Sequence, residues 1–305
     1  MNKRLQGTLI LALAALVWGI SFVSQSESMN FIEPNTFNGI RTLLGCVSLL
    51  PIIFVRNIQK KKSGTYTPMS GEEKANLIKG GIACGIFLCI ASTIQTYGLK
   101  YTTAGKSGFI TALYMIFVPI VSVVLGKKIR PLVAVSIIIA LFGMYFLCIK
   151  KGSFEINKGD ILTLICSVVF TFHILTIDRF SEKTDGVHLS CMQFFVGGVI
   201  NIIVMFLIES PQIDSILKCT VPILYSGIMS CGVAYTFQII GQKYAEPTIA
   251  SLVMSLESVF AAIAGWLLLN EAMDIREILG CALMFTAIIM VQMPEKNLKR
   301  AENIG

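Results

Sequence analysis

Ten apolar stretches of about 20 residues occupy almost the whole chain, and a helix of that length crosses the hydrocarbon core of a bilayer. They predict spans at 7–26, 35–55, 77–98, 104–126, 131–149, 159–178, 187–208, 219–240, 247–269 and 274–292. Only 14% of the 305 residues are charged, against about 25% in soluble domains. Too little polar sequence is left for a sizeable soluble domain, so we predict an all-α integral membrane protein with ten transmembrane helices.

The segments outside these spans are short. Met1 to Arg4 and the apolar run that follows resemble a signal peptide, but the run continues to Val23 and further spans follow it. We therefore interpret it as an uncleaved first helix. The longest polar insert, Arg56 to Asn76, is predicted to be a loop, and Pro119 is predicted to kink the fourth span.

Lysine and arginine are distributed unevenly around the spans. If the N-terminus is inside the cell, most of them fall on the cytoplasmic side, which predicts two cytoplasmic termini in the cell membrane. The segment 150–158 is the exception, because its three lysines would lie outside. The net charge of +7 is explained by this topology and by attraction to anionic membrane lipid, so no nucleic-acid partner is expected.

The nine cysteines and two histidines do not form a recognisable ligand pattern. Most of the cysteines lie inside apolar runs, where a free cysteine packs as a small polarisable side chain. We therefore expect no metal site, no disulfide framework and no cofactor.

The second half of the chain repeats the first. At an offset of 152 residues, Gly7, Trp18 and Gly45 match Gly159, Phe170 and Gly197. At an offset of 143, Gln95-x-x-Gly98-x-Lys100-Tyr101 matches Gln238-x-x-Gly241-x-Lys243-Tyr244, and Leu113 and Phe117 match Leu256 and Phe260. Each repeat holds five spans, an odd number, so the second must lie inverted in the membrane. We predict one five-helix repeat over 1–150, a second over 151–294, and a cytoplasmic tail at 295–305.

Several motifs resemble those of the drug/metabolite transporter superfamily, in its EamA branch. Trp18-Gly19-Ile20-Ser21-Phe22 resembles the WGxxF signature of the first helix, and Gly108 to Pro119 resembles the fourth helix. Leu256-Glu257-Ser258-Val259-Phe260-Ala261, which runs on to Leu269-Asn270-Glu271, resembles the LEPVFA…LGE pattern of the ninth. Arg41 matches an arginine that is frequent early in the second helix.

The chain departs from the family pattern at Ser258, where proline is usual, at Asn270 in place of glycine, and at Lys128 in place of glutamate. The first departure predicts a straighter ninth helix. The resemblance implies a two-repeat carrier of metabolites such as amino acids, often an exporter, although a fold does not determine a substrate.

We predict a polar cavity near the membrane midplane, lined by the first, fourth, sixth and ninth spans, with one glutamine from the third and one from the eighth near opposite mouths. Polar side chains spaced i, i+4, i+7 share one face of a helix. The candidate residues of the substrate or proton pathway are Trp18, Ser21, Gln25, Arg41, Gln95, Ser107, Thr111, Tyr114, His173, Gln238 and Glu257.

Glu257 is the most unusual of these residues, because a carboxylate inside a span is costly unless it is protonated, paired or facing water. It matches Tyr114 across the repeat. One interpretation is that Glu257 binds a proton or a substrate amino group in step with alternating access. The other is a structural glutamate that is hydrogen-bonded to neighbouring helices.

Structural roles also compete with functional ones at three other candidates. Arg41 either extends to the headgroups near the outer face, pairs with a carboxylate, or holds a substrate carboxylate. His173 is either a pH-sensitive pathway residue or a bridge between helices. Trp18 either stacks on a ring-shaped substrate or fills the core.

These features predict a secondary transporter of small amino-acid-like solutes, in particular an exporter, rather than an enzyme. No Walker motif is present, so ATP is not expected to drive transport. Coupling to protons and simple exchange of solutes are the two alternatives. A lipid-linked sugar flippase is the rival within transport. A receptor or scaffold without flux and an intramembrane enzyme are the rivals outside it, and the shortage of histidines and buried carboxylates argues against the enzyme.

Overall fold

The computed structural model describes residues 3–148, 156–269 and 274–293, and these residues form helices and short connections without a strand. The α-helices are α1 (Lys3–Ser28), α2 (Pro34–Lys62), α3 (Gly71–Leu99), α4 (Ala104–Thr111), α5 (Tyr114–Val124), α6 (Pro131–Cys148), α7 (Lys158–Ser181), α8 (Gly186–Ile208), α9 (Ile213–Lys218), α10 (Thr220–Leu224), α11 (Thr236–Gln242), α12 (Pro247–Met254), α13 (Glu257–Leu269) and α14 (Ile275–Gln292). A π-helix, Tyr225–Tyr235, joins α10 to α11.

The all-α membrane architecture is confirmed. Within the described residues, nine helical segments are long and apolar enough to cross a membrane, and Pro131–Phe146 is a shorter apolar helix at the place of the predicted fifth span. The predicted tail and most of segment 150–158, as well as Asn270 and Glu271, lie outside the described residues.

The polar insert between the second and third spans is mostly helical, so the loop predicted from Arg56 to Asn76 is wrong. Helix α2 continues to Lys62, with three lysines in its last turn, where cations interact favourably with the helix dipole. Helix α3 starts at Gly71, because Ser70 and Glu73 form a reciprocal capping box. Only residues 63–70 remain as a connection.

The fourth and ninth spans are each broken near the middle. The breaks fall at Ala112–Leu113, between α4 and α5, and at Ser255–Leu256, between α12 and α13, which match each other at the offset of 143. Short i to i−3 bonds tighten both turns, for example from the Leu256 N–H to the Val253 carbonyl. The break of the fourth span therefore falls before Pro119, which lies inside α5, and the kink at Pro119 itself stays a prediction. Ser258 does not leave the ninth span straight, because that span is broken at Ser255–Leu256.

Helices from the two repeats pack in symmetric pairs. Helix α3 packs against α7 and α8, just as the segment Thr220–Gln242 packs against α1 and α2. Helix α2 also packs on α8, and α6 packs on α14. Glycines allow the close approaches: a Cβ at Gly7 would lie 2.9 Å from the Gly241 carbonyl oxygen, and a Cβ at the matching Gly159 would collide with Gly98.

Both ends of the contact between α2 and α8 are tied by polar groups. The Glu209 carboxylate, just past α8, accepts hydrogen bonds from the backbone N–H groups of Asn35 and Thr36 at 2.8 and 2.7 Å. At the opposite end Arg56 pairs with Asp185 at 2.9 Å, and His188 bonds to the same carboxylate at 3.0 Å. Burial opposes ionisation there, but the hydrogen bonds from His188 and Arg56 still hold the pKa of Asp185 well below its usual range.

Candidate functional site

A cavity lies where the broken helices meet the first, second, third, sixth and eighth spans, and the centres of water-sized molecules have ≈ 40 Å³ in it. One water needs about 10–15 Å³ by this measure, so the cavity has room for a few water molecules. The residues that line it are Trp18, Phe22, Gln25, Arg41, Gln95, Thr111, Tyr114, Phe170, Ile174, Ser230, Tyr235, Gln238, Met254 and Glu257.

Most of these residues come in pairs related by the internal repeat. At the offset of 152 the pairs are Trp18 with Phe170 and Phe22 with Ile174; at the offset of 143 they are Gln95 with Gln238, Thr111 with Met254 and Tyr114 with Glu257. Four lining residues have no mate in the cavity, namely Gln25, Arg41, Ser230 and Tyr235. The cavity thus has a symmetric frame to which a few unmatched residues are added.

The symmetry mates Tyr114 and Glu257 touch each other. The Tyr114 hydroxyl donates a hydrogen bond of 3.0 Å to Glu257 Oε1, and both side chains are buried. Each is the first residue of the second half of its broken span, α5 or α13. The single carboxylate of the cavity is therefore held at the level of the two breaks.

Arg41 lies at the cavity wall rather than at the headgroups. Its side chain is buried, its Nε donates to Asn38 Oδ1 at 2.8 Å, and its guanidinium lies 5.0 Å from the centre of the Phe37 ring. Among the described residues no carboxylate is within ion-pair distance of it. The side chain therefore neither extends to the lipid headgroups nor forms the ion pair considered from the sequence.

Several polar atoms at the cavity have no hydrogen-bond partner among the described residues. Gln95 Nε2 donates to the Thr111 hydroxyl at 3.0 Å, but Trp18 Nε1, Gln25 Oε1 and Gln238 Oε1 are buried without a partner. Buried polar groups are costly when they are left unsatisfied. The cavity therefore offers donors and acceptors to water or to a polar ligand.

Three of the eleven candidates from the sequence lie beside the cavity without lining it. Ser21 lies 3.5 Å from Gln25 Nε2, and Ser107 lies 3.5 Å from the Thr163 hydroxyl. His173 bonds to Gln193 through its Nε2 at 3.1 Å. The other eight candidates line the cavity, and Gln95 and Gln238 face this same space.

An aromatic wall was not predicted as part of the site. The rings of Trp18 and Tyr235 meet edge-on, with centroids 4.8 Å apart, and Phe194 and His173 pack around Tyr235 at 5.9 and 6.1 Å. The repeat offsets alone would have placed Phe170 and Met254 at the site, because they are the mates of the candidates Trp18 and Thr111. No sequence signal pointed to Ser230 or Tyr235.

The described residues hold no cluster of histidine, cysteine and carboxylate side chains able to bind a metal.

The chain matches the model of the EamA-like transporter family twice, over residues 5–149 and 157–293. The protein therefore belongs to the EamA-like transporter family, within the drug/metabolite transporter superfamily. It is a multi-pass membrane transporter for a small-molecule substrate, and not an enzyme.

Known proteins agree with this assignment. The chain is 30% identical to an uncharacterized transporter of Archaeoglobus fulgidus, over 95% of this chain and 87% of that protein. It is 26% identical to the uncharacterized transporter YoaV of Bacillus subtilis, over 90% and 92% of the two chains. A solved crystal structure shares the fold with a TM-score of 0.75 at 17% identity, covering 96% of this chain and 98% of the other.

Proposed function

We propose that this protein is a secondary transporter that exports small amino-acid-like solutes by alternating access around the central cavity. The observation that supports this most directly is the presence of one buried cation and one buried carboxylate, Arg41 and Glu257, in the same aromatic cavity. A zwitterion presents a carboxylate and an ammonium group, which complement these two side chains.

The chemistry of the two groups supports the assignment of roles. A guanidinium donates two parallel hydrogen bonds to a carboxylate, so Arg41 is suited to the substrate carboxylate. Glu257 accepts hydrogen bonds from an ammonium group, and the rings of Trp18 and Tyr235 offer an apolar surface and cation–π contacts to the remainder of the substrate.

Glu257 has a second role in the proposal, as the group that binds a proton when substrate is absent. An unpaired charge is costly at this depth, so the carboxyl group is expected to exchange a proton for a substrate ammonium group during the cycle. The contact with Tyr114 lies between the two broken spans, so a change in the charge of Glu257 acts directly on the elements that must move.

The proposed topology has two inverted repeats, 1–150 and 151–294, in the cell membrane with both termini in the cytoplasm. The symmetric packing of the helices supports inversion, because each repeat carries an odd number of spans. The excess of lysine and arginine on one side supports the orientation.

Counterflow in proteoliposomes tests the proposal. Vesicles loaded with unlabelled L-phenylalanine should take up external labelled L-phenylalanine. Glu257→Gln should abolish the pH dependence and Arg41→Gln should raise KM, while Glu277→Gln, in the capping box of α14 and away from the cavity, should leave both unchanged. An unaltered rate and pH profile in Glu257→Gln would show that the proton role is wrong.

A further inference from the structure

The third and eighth spans, α3 and Thr220–Gln242, are symmetry mates that do not keep one register. Near their C-terminal ends, Gly98 packs on Gly159 and Thr163, and Gly241 packs on Gly7 and Leu11. Gly98 and Gly241 are 143 residues apart, and the residues that they contact, Gly159 and Thr163 against Gly7 and Leu11, are 152 residues apart. These contacts show that Gly98 and Gly241 occupy equivalent places.

Nearer the N-terminal ends of the two spans the register is different. Gly197 packs on Gly85 and Cys89, whereas its mate Gly45 packs on Gly227 and Cys231. Gly85 matches Gly227, and Cys89 matches Cys231, only at an offset of 142, which is one residue less than the offset at the C-terminal ends. Residues 90–97 of α3 are therefore matched by 232–240, a segment that is one residue longer.

The π-helix is the form that this extra residue takes. A π-turn closes its hydrogen bond one residue further along than an α-turn, so it absorbs an insertion while the flanking turns keep their places. The π-helix, Tyr225–Tyr235, overlaps the segment in which the register changes, and α3 is regular α-helix throughout the matching region.

The inserted segment carries a residue that breaks the symmetry of the cavity. Tyr235 lines the cavity, and neither Ser92 nor Thr93, its possible counterparts in α3, does so. Its ring is largely buried against Trp18, and no described residue forms a hydrogen bond with its hydroxyl group. Ser230, another unmatched lining residue, belongs to the same π-helix.

We propose that this one-residue insertion places Tyr235 in the cavity, and that Tyr235 determines specificity by packing on the apolar part of the substrate. The inference rests on the proposed function and deepens it: with Tyr235 present, the site prefers a large, ring-bearing side chain to a small one. Without the insertion, Tyr235 would fall at the place of Ser92 or Thr93, and neither of these residues lines the cavity.

Two matched deletions test the insertion itself. Deletion of Val233, which is partly exposed within the inserted segment, should convert the π-helix to α-helix and keep the contacts of Gly227 and Gly241. The protein should stay monodisperse with a Tm within a few degrees of the parent. Ile90 lies in α3, which has no inserted residue. Its deletion would rotate one end of that helix by about 100° relative to the other, so the protein should not fold. Equal tolerance of the two deletions, or failure of the Val233 deletion to fold, would overturn the insertion.

Substrate selectivity tests the role of Tyr235. The probes are labelled L-phenylalanine and L-alanine in proteoliposome counterflow. Tyr235→Ala and the Val233 deletion should each lower the phenylalanine-to-alanine ratio of kcat/KM by roughly tenfold, since a ring contact and its buried area are lost. Tyr235→Phe, which keeps the ring, should stay within about twofold of the parent.

The outcomes separate this inference from the proposed function. A parent that exchanges both amino acids, together with an unchanged ratio in Tyr235→Ala, would overturn the specificity role and leave the transporter intact. A parent that exchanges neither would show that the proposed substrate class is wrong and, with it, the recognition role. The stability of the two deletions decides the insertion in either case.

Discussion

Two symmetry-related helix contacts beside the cavity are held together by different physics. Where α4 meets α7, the contact is polar. Lys106 Nζ lies 2.6 Å from Asp160 Oδ2, and the Thr102 hydroxyl donates to the same carboxylate at 2.8 Å. One turn deeper, the hydroxyl groups of Ser107 and Thr163 are 3.5 Å apart.

The mate of this contact, where α12 meets α1, is apolar. Thr102, Lys106 and Ser107 are replaced at the offset of 143 by Ala245, Ile249 and Ala250, while Asp160 and Thr163 are replaced at the offset of 152 by Thr8 and Leu11. The alanines, Ile249 and Leu11 all belong to the buried hydrophobic core. The Thr8 hydroxyl donates to the Arg4 carbonyl within its own helix and accepts a hydrogen bond of 2.9 Å from Gln292 Nε2 in α14.

The difference shows that an internal repeat preserves backbone packing without preserving the forces that stabilise it. Directional charge pairing holds one contact, and close apolar packing holds the other. If the proposed alternating access loosens first one of these contacts and then the other, the two halves of the transport cycle differ in free energy. Substitutions at matched positions should therefore have unequal effects.

The largest effect is expected from removing the charge at the polar contact. Asp160→Ala breaks the pair with Lys106 and the capping bond to the Asn157 N–H, so it should cost about 3 kcal/mol of stability. Thr8→Ala at the matched position should cost less, about 1–2 kcal/mol, because it removes two hydrogen bonds of a neutral hydroxyl, to the Arg4 carbonyl and from Gln292, and leaves no unpaired charge. Thermal unfolding in detergent compares the two, and equal losses would contradict the asymmetry.

A somewhat smaller effect is expected at the apolar contact. Leu11 is fully buried and packs against Gly241, so Leu11→Ala should cost about 2–3 kcal/mol through lost packing and the remaining void. Its polar mate Thr163 bonds mainly to the Gly159 carbonyl in its own helix, so Thr163→Ala should cost about 1 kcal/mol. A greater loss at Thr163 than at Leu11 would show that the apolar contact is not held by packing.

Such differences mark the limit of what the sequence predicts. Repeat offsets and hydrophobic runs were sufficient for the all-α membrane class and for placing Tyr114 and Glu257 in one central space, but not for the breaks in the fourth and ninth spans. A polar stripe does not reveal whether it faces a cavity or a neighbouring helix, which is why Ser107 contacts Thr163 instead. Tyr235 was missed because one extra residue inside a span that is apolar on most of its faces leaves no clear break in the hydrophobic pattern, whereas the contacts of the glycines reveal it.

A smaller loss of stability is expected when the polar contact is given the residues of the apolar contact. The double variant Lys106→Ile/Asp160→Thr carries at this contact the residues found at 249 and 8. Replacing both partners of a buried ion pair leaves no unpaired charge, so the loss should be within about 1 kcal/mol, well below that of Asp160→Ala alone. A loss as large as that of Asp160→Ala would assign the stability of this contact to the capping bond of Asp160.

The smallest effect is expected from salt. Raising NaCl from 0.1 to 1 M shortens the Debye length from about 10 to about 3 Å, which weakens charge pairs and leaves apolar packing intact. The side chains of Lys106 and Asp160 are only 19% and 5% exposed, so the polar contact should loosen by a few tenths of a kcal/mol at most. Hydrogen exchange in nanodiscs reads both contacts in one sample: exchange should quicken slightly at 104–108 and 158–163 and not at 247–251 and 7–11. The symmetry-related segments have the same backbone arrangement. An equal increase in exchange rate at the polar and the apolar contact would therefore show that salt acts on the membrane or on the whole fold rather than on the ion pair.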